Sequence, residues 1–245
     1  MAADRMAVIE SSDKHNGSYL TRGQPGTTVK RVFYVLYLPE IEASRYIDAI
    51  RFLANPEEKW RAHITVRGPY RRQINTAKLN ERLAGNRIAV EGVGRFRNNG
   101  QQTVFLHCSG THLKDVWHKG DYPYNPHLTI YDGPSREIAG SLEAILDRYC
   151  IRIECLCDRL EPMVSVRGVL RMDLGLHVAA HLFGPQHTGG IGSLQELASA
   201  SVVDRLGHIE RLCRRLAGVD IEQMHFPSMP VNDSFGPQSR LVSGL

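Results

Sequence analysis

The chain of 245 residues is 42% hydrophobic and 23% charged, enough apolar material for one generous globular domain and too much for a disordered chain. Its net charge of +4 suits an anionic ligand but falls well short of a protein that coats nucleic acid. No apolar run reaches the ~18 residues of a membrane helix. The five cysteines, odd in number and not spaced as zinc or redox pairs, read as small buried hydrophobes in a reducing, cytoplasmic setting.

Residues 1–29 are rich in Ser, Asn, Gly and Pro and predict a loose leader. The β-branched and aromatic run from Val32 to Leu38, stopped by Pro39, predicts a buried strand. Apolar residues then recur at helical spacing (Ile41, Ile47, Ile50 and Leu53) until Asn55-Pro56 ends the pattern. Ala62–Arg67 alternates polar and apolar as a two-faced strand, ended by Gly68-Pro69. A helix over Ala77–Leu83 follows, then strands over Ile88–Phe96 and Thr103–Cys108 joined by the hairpin signal Asn98-Asn99-Gly100.

The second half repeats this grammar. A helical stretch near His112–Trp117 precedes the alternating strand His127–Tyr131, which ends at Asp132-Gly133-Pro134. Ser135 is placed to cap a helix over Ser135–Tyr149 with an apolar stripe of Ile138, Leu142, Ile145 and Tyr149. Strands over Ile151–Leu160 and Met163–Leu174 complete a domain spanning 30–183, and the glycines between Gly184 and Gly192 mark a linker. The 184–245 remainder predicts an amphipathic helix, Leu194–Leu216, and an irregular tail after Phe226. That helix is expected to pack on its own domain, with a homodimer through its apolar stripe as the competing reading.

The two motif strands carry the chemistry. His63-Ile64-Thr65-Val66 and His127-Leu128-Thr129-Ile130 share the pattern His-aliphatic-Thr-aliphatic and begin 64 positions apart. Residues i and i+2 of a strand share a face, so each strand aims an imidazole and a hydroxyl into one space while the aliphatic residues turn to the core. By alternation Arg67 and Tyr131 continue the functional faces. Two imidazoles flanking one phosphate can act as base and acid in a single displacement, and each threonine hydroxyl can donate to a non-bridging oxygen. Neither motif carries Asp, Glu or Cys at ligand spacing, and threonine binds zinc poorly, so no metal and no cofactor is expected.

The stretches Ala62–Tyr70 and Tyr124–Tyr131, with Pro126 directly before the second histidine, resemble the 2H (two-histidine) phosphoesterase superfamily, which includes RNA 2′,3′-cyclic phosphodiesterases and 2′-5′ RNA ligases. The resemblance covers roughly Arg31 to Leu174. It implies an α+β, bilobal, pseudo-two-fold fold in which two antiparallel sheets line a central cleft with helices outside, here followed by a C-terminal helical extension. It implies a metal-independent phosphodiesterase acting on a cyclic or 2′-linked nucleotide phosphate, with His63 and His127 as the acid/base pair and Thr65 and Thr129 gripping the phosphate. Arg67 is a candidate phosphate contact, and Tyr70, Tyr124 and Tyr131 are candidates for base stacking. The expected partner is a nucleotide or RNA end, with no membrane. The alternative is a non-catalytic nucleotide- or RNA-binding module that uses the same cleft.

Overall fold

In a computed structural model, residues 32–58, 60–98, 100–120, 122–163 and 199–218 are described. The leader, the 184–192 linker, the first residues of the C-terminal helical segment, nearly all of the strand expected over Met163–Leu174 and the tail lie outside them.

The elements in order are β1 (Val32–Tyr37), α1 (Glu42–Ala54), β2 (His63–Tyr70), α2 (Ala77–Leu83), β3 (Arg87–Asn98), β4 (Gln101–Gly110), α3 (Leu113–Val116), β5 (His127–Gly133), α4 (Arg136–Tyr149), β6 (Arg152–Leu156), β7 (Glu161–Pro162) and α5 (Val202–Gly218). The β-branched runs form strands because they fit a pleated, half-buried surface. α4 begins where expected: the Ser135 hydroxyl accepts the Ile138 amide at 3.2 Å, a side-chain N-cap. It ends on Cys150, which takes the left-handed conformation (φ 45) and is exposed, unlike the four other cysteines, which are buried as expected. β2 runs straight through Gly68-Pro69 to Tyr70 instead of stopping there. Gly68 sits at φ +108, and a Cβ on it would meet the Val32 carbonyl oxygen at 2.8 Å, so only glycine lets the strand stay paired with β1 here.

The strands form one seven-stranded sheet, ordered β6-β3-β4-β5-β2-β1-β7, with every pairing antiparallel. Two separate sheets were expected. The observed sheet has two halves, β7-β1-β2 and β5-β4-β3-β6, that meet only at Ile64 and Leu128. Each half places its motif strand innermost, so the pseudo-two-fold logic survives inside a single sheet.

Alternation sends Ile64, Val66, Leu128 and Ile130 to one face, where they are buried in the core with Ile47, Ile50 and Leu142. α1 and α4 pack on this face, and α5 lies across both of them. α5 buries Ile209, Leu212, Cys213 and Leu216 in the same core. It is tied down further by Arg205 donating to the Leu53 carbonyl and by Glu210 accepting from Arg148 and Tyr149. Ile209, Cys213 and Leu216 of the expected apolar stripe are therefore buried within the chain. No helix among the described residues is long and apolar enough to cross a membrane.

Candidate functional site

The opposite face of the sheet bears a cavity of about 580 Å³, and His63, Thr65, His127 and Thr129 all line it. Their mutual placement follows from one register position. Ile64 pairs with Leu128 in antiparallel sense. His63 and Thr129 therefore fall on one side of that pair, and Thr65 and His127 on the other. Each imidazole has the other motif's hydroxyl across from it, at the few-ångström spacing of neighbouring strands. The four functional groups surround one small space.

Both imidazoles are oriented by the same device. His63 donates Nδ1–H to the Arg61 carbonyl at 2.6 Å, and His127 donates Nδ1–H to the Asn125 carbonyl at 2.8 Å. A carbonyl can only accept, so the bond fixes the tautomer and leaves Nε2 with its lone pair available. The segments entering the motifs are themselves held. The Ala62 amide donates to Asp48 at 2.6 Å, and the Pro126 carbonyl accepts the Cys108 amide at 3.0 Å. Aromatic rings back both histidines, Tyr37 edge-on to His63 and Phe96 edge-on to His127 with centroids 6.1 and 5.4 Å apart.

The electrostatics favour neutral imidazoles. Burial, reinforced by the nearby Arg51 charge and then by His127 and Lys119, pushes His63 down to about 4 against the pull of its Arg61 hydrogen bond. His127 is lowered too, chiefly by burial, with Lys119 and His107 contributing.

The other candidates from sequence are placed differently. Thr65 and Arg67 face consecutive residues, Val35 and Tyr34, on β1; Thr129 and Tyr131 face consecutive residues, Phe105 and Val104, on β4. Each motif strand therefore carries an extra residue directly after its threonine, Val66 or Ile130. Such a bulge interrupts the alternation. Tyr131 consequently turns into the core at 4% exposure, where its hydroxyl accepts the Ser135 amide at the start of α4. Asp132 takes the place on the cavity wall that Tyr131 was expected to hold. Arg67 is not on the cavity wall; it donates to the Val116 carbonyl at 2.7 Å and to the Tyr70 hydroxyl at 3.2 Å. Tyr70 stacks on His118, and Tyr124 packs edge-on to Trp117 at 43% exposure; neither borders the cavity.

The structure also brings in residues that sequence reasoning passed over. Arg51 is 2% exposed, pairs with Glu58 at 3.3 Å, and donates to the Thr129 and Trp60 carbonyls, so it braces the second motif from beneath. On the helical pattern it reads as an ordinary charged position between Ile50 and Leu53. Phe96, Trp117 and Tyr122 supply aromatic surface to the cavity in place of the predicted tyrosines, and Lys119 lies among them. Nothing in local spacing distinguishes these residues, because strand pairing and a loop bring them to the wall.

No curated protein and no solved structure gives a significant match to the chain. One family model, described as the 2′-5′ RNA ligase superfamily, matches residues 39–168. The match includes both motifs and extends over just over half of the chain. With two His-x-Thr strands set about one cavity inside the matched segment, this chain belongs to the 2′-5′ RNA ligase superfamily.

Proposed function

We propose that the protein is a phosphodiesterase that opens a cyclic or 2′-linked nucleotide phosphodiester, using His63 and His127 as general base and acid, with Thr65 and Thr129 holding the phosphate. The observation that carries this reading is the pairing of Ile64 with Leu128. It sets both motifs around one space, with each Nδ1 occupied by a backbone carbonyl and each Nε2 left for chemistry.

In the forward direction one neutral imidazole takes a proton from water through Nε2 as the water oxygen attacks phosphorus. The other, protonated once the anionic phosphate is bound beside it, gives its Nε2 proton to the departing ribose oxygen. The threonine hydroxyls donate to the non-bridging oxygens as negative charge builds there. His63, the one held at about 4, is biased toward the unprotonated base role. The cavity of about 580 Å³ is of the size that accepts a nucleotide, and Phe96, Trp117 and Tyr122 on its wall supply aromatic surface for a base.

The test is hydrolysis of a panel containing nucleoside 2′,3′-cyclic monophosphates, an RNA ending in a 2′,3′-cyclic phosphate and a 2′-5′-linked dinucleotide, all with EDTA present. Turnover of at least one compound in EDTA is expected. Tight binding without turnover across the whole panel would replace this reading with that of a nucleotide-binding module.

A further inference from the structure

Among the described residues, Lys119 has no anionic partner. It lies on the cavity wall and is half-buried, and its ammonium sits over the Trp117 ring at 5.5 Å and the Tyr122 ring at 5.7 Å. It makes no ion pair or hydrogen bond with the described residues, so all three of its N–H donors lack an acceptor there. Ring faces offset part of the cost of taking an ammonium out of water, but they supply no lone pair of hydrogen-bond quality. A second unmet donor stands beside it: the buried Trp117 Nε1–H has no partner among the described residues either, and Trp117 borders the same cavity.

The loop is built to hold Lys119 in place. The His118 amide donates to the Val66 carbonyl at 3.1 Å, and the Gly68 amide donates back to the His118 carbonyl at 3.2 Å, which lays the loop alongside the first motif strand. Arg67 grips the Val116 carbonyl, and the Tyr70 hydroxyl bonds His118 Nδ1 at 3.2 Å, fastening the same loop from its other side. Lys119 directly follows this pinned segment and borders the cavity with both motifs. Its charge reaches both histidines and contributes to holding each below its ordinary value.

We propose that Lys119 binds the substrate's phosphate directly, as a third donor alongside Thr65 and Thr129, with Arg67 and Tyr70 acting as positioning residues that hold its loop. This deepens the phosphodiesterase reading and rests on it for the identity of the anion. The ligand class is a phosphate mono- or diester whose non-bridging oxygens meet the ammonium. A point charge on a stem backed by aromatic rings can follow the phosphorus from diester to the more highly charged transition state and then to monoester product.

The experiment titrates the full-length chain with inorganic phosphate and with a nucleoside 2′-monophosphate by calorimetry, comparing wild type, Lys119→Met and Lys119→Arg. Methionine keeps the packing against the two rings while removing the charge, and a thermal melt confirms that each variant is folded. The expected result is a loss of affinity of roughly 10- to 100-fold in Lys119→Met, partly restored in Lys119→Arg. NMR titration should also show both imidazoles protonating at higher pH in Lys119→Met, while the Arg51 charge beside His63 and His107 beside His127 remain. Equal phosphate affinity in wild type and folded Lys119→Met overturns the proposal, even if the enzyme turns over cyclic phosphate. Lys119-dependent phosphate binding in a chain that hydrolyses nothing leaves the proposal standing and removes the phosphodiesterase reading instead.

Discussion

Ile64 of β2 faces Leu128 of β5, and this one pair joins the two halves of the sheet at the second position of both motifs. Both side chains are fully buried. Their strand neighbours, by alternation, are the two histidines and two threonines on the opposite face. Core packing and site assembly are thus the same event: moving the register at Ile64 by one residue would bury the functional groups and expose the aliphatic ones.

If that geometry serves acid–base chemistry, His63→Ala and His127→Ala should each lower kcat/KM on a cyclic nucleotide by ~10²–10⁴-fold. The double variant should cost far less than the product of the two, because the imidazoles act as a unit. Thr65→Val and Thr129→Val should each lose on the order of 10²-fold, the usual cost of removing one donor from a developing oxyanion. Steady-state kinetics in EDTA on all five variants would check this, and full activity in either histidine variant would refute the paired mechanism.

The depressed titration of His63 has a consequence for acid stability. Its folded pKa of about 4 lies below the ordinary value of 6.5. Between those two pH values the unfolded chain binds a proton that the folded chain does not, so stability falls as pH drops through that window and is unaffected by this group above it. The difference corresponds to about 3 kcal/mol across the window. A His63→Asn variant should therefore lose less stability than wild type between pH 7 and pH 4, as read from urea unfolding at each pH.

Arg51 makes a different prediction. It is buried, supports the Thr129 carbonyl and neutralises Glu58, whose side chain is only 16% exposed. Arg51→Met should cost about 3–5 kcal/mol, because it removes the donor to the Thr129 and Trp60 carbonyls together with the charge paired with Glu58. The companion change Glu58→Gln should recover part of that loss. In folded Arg51→Met, the His63 imidazole should titrate at higher pH, since a positive charge that opposed its protonation is gone.

Tyr131 and α5 separate structure from chemistry. Tyr131→Phe removes the acceptor of the Ser135 amide. It should cost about 0.5–1.5 kcal/mol with little change in kcat. Phe96→Ala, on the cavity wall, should instead raise KM. Leu212→Ala on α5 should destabilise the domain by about 2–5 kcal/mol, because Leu212 is fully buried against the same core. A Leu212→Ala variant as stable as wild type would mean that α5 does not dock.

The motif strands, the helix over Ala77–Leu83, the Ser135 cap and the His-x-Thr pairs were legible in the amino-acid order, because each depends on contacts within a few residues. Alternation is a local property, and it correctly put Ile64 and Leu128 in the core and His63 and His127 on the other face. What local order could not supply was pairing across the sheet. The bulges after Thr65 and Thr129 exist only relative to β1 and β4, and the second of them turned Tyr131 into the core. Arg51 comes to lie under Thr129, and Lys119 on the cavity wall with both motifs, through contacts 78 residues away in one case and through a loop pinned to a strand that precedes it by some fifty residues in the other. The sequence by itself determined which chemical groups are present and which strand face each motif uses. The tertiary structure decided which of the remaining side chains share their space, because only closure of the sheet sets the register and bulges that bring distant residues to one wall.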